Sequence, residues 1–360
     1  MKFIEMEHLK PGMRLARPIY NKKGVLLVER GTGLTQQNID NVKYFGLLGV
    51  YVLEPAEPLP PMSDEDKEYE RFQISTGFVI NEELGKIISG KKQIGIYQVA
   101  STIQKNFGHM DKKLNFYQNL RSIDDYVSRH SLNVAILCVL LTRRLNIKLD
   151  EQMLIVQAAL VHDIGKIAVQ RQKNVPLDKI RLEDITLDDK IQALDLLDDV
   201  FASNATALKR MCYQVLKAQD DVEKTGTIQL PGKMVMGAKI LMVANRYDEL
   251  TAVDYQGKAE SEIKALRELQ GHPDLYDEEI VNALVKSVNI LIPGASVVLN
   301  TGEKALVLAE NSMDVLRPIV LTFGDNSTIN LALYENRYIM IEDIMKTMDN
   351  RYIINKGETQ

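Results

Sequence analysis

The chain has 360 residues, of which 45% are apolar, and a formal net charge of −5. This length and composition support a large core and an additional small domain. The charges alternate in sign without a basic stripe, which argues against nucleic acid as a partner. No apolar run approaches the ~20 residues that cross a bilayer, and the first residues lack an apolar signal segment, so the sequence predicts a cytoplasmic protein with no membrane span. Cys138 and Cys212 lie in apolar helical segments and are expected to be buried, without a disulfide or metal role.

Hydrophobic periodicity and turn residues divide the chain into five parts. Residues 1–54 alternate short apolar strands with glycine turns and predict a small mixed α/β domain. Residues 55–67 contain four prolines and a charge run, and are predicted to form a linker. Helical periodicity dominates residues 68–290, strand-like alternation follows in a C-terminal β element at residues 291–335, and residues 336–360 are assigned to a tail. The predicted fold is mainly α, a helical core with these two small additions.

Two histidines lie on the apolar stripes of two predicted helices. Apolar residues follow His130, and precede His162, at steps of three and four. Both imidazoles are therefore expected to point inward, where they could meet. An inward histidine standing alone is more often a hydrogen-bonded core residue than a metal ligand, and this alternative stays open for both.

Asp163 follows His162 directly and adds a carboxylate to the imidazole. An adjacent pair that offers one nitrogen and one oxygen suits Mn, Fe or Zn better than a metal that prefers thiolates. In the helix predicted over residues 238–250, Asn245 and Asp248 share one face, so an amide and a carboxylate can approach the same point. The sequence thus predicts a metal site with a candidate fourth ligand on this last helix.

Three segments together resemble a known family: His130-Ser131, LVHDIGKI at residues 160–167, and AKILMVANRYDELTA at residues 238–252. They resemble the HD superfamily of metal-dependent phosphohydrolases, and specifically its HD-GYP branch, which hydrolyses cyclic di-GMP. The resemblance extends over most of residues 1–325. It implies a helical HD core with a metal-dependent active site.

The resemblance also implies a role for each residue at a matching position. The expected metal ligands are His130, His162, Asp163 and Asn245. Asp163 and Lys166 are the expected catalytic residues, and Asp248 has a structural role.

Substrate binding is implied at three positions. Lys166 matches a lysine that contacts substrate phosphate, although a solvent-directed lysine at a helix end is an equal alternative. Tyr255 and Lys258 remain from an arginine-rich RPYR element of the family, whose arginines are missing from residues 253–258. Because arginine binds phosphate in a bidentate manner, the affinity for a cyclic dinucleotide is expected to be reduced.

Several family residues are absent from the sequence. Residues 216–218 are Leu-Lys-Ala where the family has paired histidines and a glutamate, and residues 224–226 replace the Gly-Tyr-Pro loop. A further family histidine is expected near Ile191, and Asn245 stands where the family has a ligand aspartate. Since a site with two or three ions needs bridging carboxylates and more imidazoles, this chain is expected to hold at most one weakly bound ion (Mn, Fe or Zn), or none.

Two functional hypotheses follow. The favoured one is a degenerate HD-GYP-like cyclic di-GMP signalling protein with weak or no phosphodiesterase activity, which binds a nucleotide or a protein partner. The alternative is an active phosphohydrolase with a mononuclear metal site, in which Lys166 contacts phosphate. A homodimer is compatible with either hypothesis.

Overall fold

The computed structural model describes residues 2–21, 25–44, 47–53, 63–91, 95–116, 118, 121, 125–173, 185–230, 232–253 and 259–345. Helices account for most of these residues, and short strands occur near both ends of the described chain. The mainly α fold predicted from the sequence is confirmed.

The N-terminal part is a small mixed α/β unit with its own core. Its elements are β1 (Lys2–Glu5), β2 (Arg14–Leu15), β3 (Ile19–Tyr20), β4 (Leu26–Val28), α1 (Gln36–Lys43) and β5 (Gly49–Leu53). The first sheet is antiparallel in the order β1-β5-β2, and β3 pairs with β4. Apolar side chains from these strands and from α1, such as Leu15, Ile39 and Val50, form one buried cluster. Short strands are therefore present where apolar residues alternate with glycine turns in the sequence.

The helical core is built from eleven described helices. They are α2 (Asp64–Ile88), α3 (Ile96–Phe107), α4 (Tyr126–Arg144), α5 (Leu149–Val161), α6 (Ile164–Lys173), α7 (Leu187–Ala193), α8 (Asp198–Phe201), α9 (Ala205–Thr225), α10 (Met236–Thr251), α11 (Glu262–Gly271) and α12 (Glu278–Ser287). α4 lies at the centre and packs against α2, α3, α5, α10 and α12. Because other helices surround it, α4 is buried on nearly all sides, as its continuous apolar sequence requires.

The start of α2 corrects the predicted linker, which was expected to run to residue 67. α2 begins at Asp64, and Ser63 and Asp66 form a capping box in which each side chain accepts a hydrogen bond from the other residue's backbone N–H, both at 3.1 Å. The acidic first turn also interacts favourably with the positive end of the helix dipole. The charge run is therefore a helix start, and residues 55–62 of the predicted linker lie outside the described residues.

The C-terminal part is a five-stranded antiparallel sheet in the order β10-β6-β7-β8-β9. Its strands are β6 (Ser296–Leu299), β7 (Lys304–Ala309), β8 (Ile319–Thr322), β9 (Thr328–Asn330) and β10 (Ile341–Ile344). β10 falls within the predicted tail, so assigning residues 341–344 to a tail was wrong. Ile341 is 1% exposed and pairs with Leu299 of β6, a partner too distant in sequence for local alternation to indicate.

One segment, Leu149–Gln172, is long and apolar enough to cross a membrane by length and composition alone. Within the protein, 83% of its most apolar window is buried. The segment is also divided into α5 and α6 at residues 162 and 163. Its apolar character is thus accounted for by the helical core.

Both cysteines are expected to resist alkylation in the folded protein. Cys138 and Cys212 are fully buried, and burial raises the pKa of Cys212 to about 12 and the pKa of Cys138 well above its ordinary value. Because the thiolate is the reactive form, a thiol reagent should label neither residue until denaturant is added, and should then label both. Stoichiometric labelling of the native protein, measured by mass spectrometry, would contradict this burial.

Candidate metal centre

The candidate metal centre lies where α4, α5 and α10 pack together beside the start of α6. His130 belongs to α4, His162 follows the last residue of α5, Asp163 joins α5 to α6, and Asn245 belongs to α10. All four side chains are buried, with 1–4% of each residue exposed. The structure therefore brings together the four residues that the sequence suggested as ligands.

Gly165, in the first turn of α6, lies against the backbone of α7. A Cβ atom at this position would lie 2.8 Å from Lys190 Cα, a backbone atom of α7 that cannot easily move away. Without a side chain, α6 packs closely against α7. This contact fixes the direction of the chain on either side of Gly165, and therefore the positions of Asp163 and Lys166.

The distances within the cluster fit a single divalent ion. His130 Nε2 lies 3.3 Å from His162 Nε2 and 3.6 Å from Asp163 Oδ2, and the distance from His162 Nε2 to Asp163 Oδ2 is 3.9 Å. Nitrogen and oxygen ligands bind such ions at about 2.0–2.2 Å, so two ligands of one ion are roughly 3–4 Å apart, depending on the angle between them. Among the residues that the structure describes, this is the one group of three or more histidine, cysteine and carboxylate side chains able to hold an ion.

The second ring nitrogen of each histidine has a hydrogen-bond partner that orients the ring. His162 Nδ1 donates to the carbonyl oxygen of Ala159 at 2.8 Å, and His130 Nδ1 lies 2.6 Å from Asp248 Oδ2. Burial lowers the pKa of His162 against the opposing charge of Asp163, so the neutral imidazole is favoured. Both Nε2 atoms face the centre of the cluster, as metal-binding histidines require.

Asp248 lies outside the ligand cluster and contacts the Nδ1 side of His130. It is fully buried and forms an ion pair with Arg121, whose Nη2 donates to both carboxylate oxygens at 2.7 and 2.9 Å. Asn133 Nδ2 and Gln118 Nε2 donate to Asp248 Oδ1 at 2.8 and 2.9 Å. Burial alone would raise the pKa of Asp248, but Arg121 and His130 hold it well below its ordinary value. Asp248 is therefore an anion that fixes the His130 ring, in agreement with its expected structural role.

The N-terminal unit contacts the same supporting residues. Arg17 Nη1 donates to the backbone carbonyl of Gln118 at 3.1 Å, and the backbone N–H of Leu48 donates to the carbonyl of Arg121 at 3.2 Å. No local pattern in the sequence indicates a role for Arg121 or Gln118. Asn133 did carry a signal, because it is a polar residue three positions after His130 on an otherwise apolar helix.

Lys166 pairs with Asp163 and does not point freely to solvent. Its Nζ lies 2.5 Å from Asp163 Oδ2, and 18% of its side chain is exposed. Burial would lower the pKa of Lys166 and raise that of Asp163, but their mutual attraction outweighs burial, so the lysine pKa is raised and the aspartate pKa is well below its usual range. Lys166 stands in the first turn of α6, where the helix dipole disfavours a cation, so the alternative based on a favourable helix end is wrong.

The other positions singled out by the resemblance add no ligand to the cluster among the described residues. Leu216 and Ala218 of α9 are buried apolar side chains, and Lys217 between them pairs with Asp221. Tyr255 and Lys258 lie outside the described residues. Their substrate-binding role stays a prediction.

The region that holds the cluster matches a known protein family. Residues 127–250 match the family model of the HD domain. The chain therefore contains an HD domain. The matched residues include both histidines, Asp163, Lys166 and Asn245, so the whole cluster lies within the HD domain. The recognition made from the three sequence segments is confirmed.

One curated relative and one similar solved structure were found. The chain is 26% identical over 220 residues to "Cyclic di-GMP phosphodiesterase PA4108" of Pseudomonas aeruginosa, an alignment that covers 57% of this chain and 49% of that protein. It thus spans about half the length of this curated relative. The solved structure of Bd1817, an HDG"Y"P protein from Bdellovibrio bacteriovorus, aligns with a TM-score of 0.43 and 15% identity over 79% of this chain and 97% of that one.

Proposed function

We propose that this chain is a degenerate HD-GYP-like signalling protein of the cytoplasm that binds cyclic di-GMP, another nucleotide or a protein partner with weak or no phosphodiesterase activity. The observation that carries the proposal is the size of the ligand cluster. His130, His162 and Asp163 supply three ligand atoms within 4.8 Å of one another. The amide of Asn245, which contacts both imidazoles, is neutral. Three ligands and an amide suffice for one ion, whereas two-ion phosphodiester chemistry requires more.

The surroundings of Asp163 support the same proposal. The oxygen of Asp163 that faces both imidazoles is also the oxygen paired with Lys166. An ion bound there would compete with the lysine for this oxygen, and Lys166 would have to leave its partner to reach a phosphate. Both features disfavour strong metal binding and efficient catalysis.

The alternative function is a mononuclear phosphohydrolase. The distances between His130, His162 and Asp163 favour it, because they fit one Mn, Fe or Zn ion. Such an ion would polarise a phosphoryl oxygen and lower the pKa of a bound water. The chain itself would contribute the two imidazoles and the carboxylate as ligands, and the positive charge of Lys166 for a phosphate.

Turnover of cyclic di-GMP by the purified protein tests the proposal. The assay is run anaerobically with added Mn²⁺ or Fe²⁺, with Asp163→Ala beside the natural chain, and cyclic di-GMP binding is measured in parallel by calorimetry. We expect little or no more product from the natural chain than from Asp163→Ala. Efficient turnover that disappears in Asp163→Ala would establish the mononuclear enzyme instead. If neither product nor cyclic di-GMP binding is detected, another nucleotide or a protein partner is the remaining ligand of the proposal.

A further inference from the structure

Asn245 lies between the two histidines and contacts both of them. Its Oδ1 atom lies 2.8 Å from His130 Nε2 and 2.9 Å from His162 Nε2, and the two nitrogens are 3.3 Å apart. Only 1% of Asn245 is exposed. These contacts therefore form in a site shielded from bulk solvent, where polar atoms need hydrogen-bond partners or an ion.

The outer hydrogen bonds of the two rings determine what these nitrogens can do. The carbonyl oxygen of Ala159 can only accept, so the proton of His162 is on Nδ1. Asp248 is held as an anion by Arg121, and it likewise accepts from His130 Nδ1. In the neutral form, each ring consequently presents an unprotonated Nε2 lone pair to Asn245.

Two lone pairs facing an amide oxygen would leave three acceptors without a donor. With both rings neutral, two arrangements remove this conflict. A cation can bind among the three atoms, or the amide can turn by 180° so that Nδ2 replaces Oδ1 and directs one hydrogen to each imidazole. The oxygen and nitrogen of an amide are assigned from their hydrogen bonds, and here the two lone pairs require the nitrogen.

We propose that Asn245 closes the metal-free site by donating one hydrogen bond to each histidine. The inference rests on the proposed function, because it explains how an HD site persists as a stable core without an ion. An aspartate at position 245 has no hydrogen to donate and would need a cation to join it to the imidazoles. The asparagine therefore fulfils the structural task of an ion, and an incoming ion must first break both hydrogen bonds.

The inference predicts that Asn245→Asp lowers the stability of the metal-free protein and raises its affinity for metal. Without metal, Asn245→Asp should melt at a lower temperature than the natural chain, because a carboxylate faces two lone pairs. Added Mn²⁺ should raise its melting temperature strongly and that of the natural chain little, and Mn²⁺ should bind the variant at least about tenfold more tightly by calorimetry. Asn245→Ala is the matched control, since it removes the donor without adding charge and should lose stability without gaining affinity.

A measurement on the natural chain tests the same inference without a variant. Nitrogen-15 spectra of the metal-free protein should show both histidines protonated at Nδ1, with couplings through hydrogen bonds from the Asn245 amide to both Nε2 atoms. A proton on either Nε2, or equal Mn²⁺ affinity in the natural chain and Asn245→Asp, would overturn the inference. Efficient cyclic di-GMP turnover by the natural chain would instead contradict the proposed function, so the two failures are distinguishable.

Discussion

Asp248→Asn is expected to destabilise the helical core by about 3–5 kcal/mol, which is the usual cost of removing one partner from a buried ion pair. Arg121 is 4% exposed and would keep its charge without a carboxylate to neutralise it. Its Nη1 atom already has no hydrogen-bond partner within the described residues. The substitution also weakens the acceptor that orients His130, so ring orientation and stability should be lost together.

Urea unfolding followed by circular dichroism measures this effect. The matched control is Asp111→Asn, which breaks a pair between Asp111 and Arg143 whose side chains are 86% and 45% exposed. Exposed pairs contribute about 0–1 kcal/mol, so the control should unfold close to the natural chain. Equal midpoints for the two variants would mean that the Arg121 charge finds compensation elsewhere.

Gly165→Ala should cost about 1–3 kcal/mol, the range typical of overpacking. The added Cβ would meet a backbone atom of Lys190 at 2.8 Å, so α6 and α7 must move apart. Because Asp163 and Lys166 flank this glycine, we also expect weaker Mn²⁺ binding in any background that binds the ion.

Gly271→Ala is the control with the same chemical change. Gly271 is the last residue of α11, and an added Cβ there would meet no atom within 4 Å. Alanine in a helix is favoured over glycine by roughly 0.5–1 kcal/mol, so this variant should be neutral or slightly more stable. A Gly165→Ala variant as stable as Gly271→Ala would show that α6 is not held closely against α7.

The helical core and the ligand cluster were predictable because their signals are local. The stripes around His130 and His162 each lie within one helix, and the adjacent Asp163 needs no tertiary information. Two inward histidines on helices that pack together must approach each other. The sequence therefore predicted that these side chains lie close together. Metal binding itself stays a prediction.

The residues that support the cluster could not be predicted in this way. Arg121 precedes α4 in a segment without periodicity, and its partner Asp248 is distant in sequence. Local patterns do not indicate such pairs, because the pairing depends on how α4 and α10 pack. The same limit explains β10, whose four residues acquire strand structure only by pairing with β6.

The pairing of β10 with β6 matters for any shortened version of the protein. A chain that ends at residue 335, just before the predicted tail, would lose β10 and leave β6 as an edge strand with unpaired backbone groups. The sequence of β6, Ser-Val-Val-Leu, is apolar and β-branched, and an exposed edge of this kind pairs readily with other molecules. Such a fragment would be prone to aggregate, whereas one that keeps residues through 345 would retain the natural cover of its sheet.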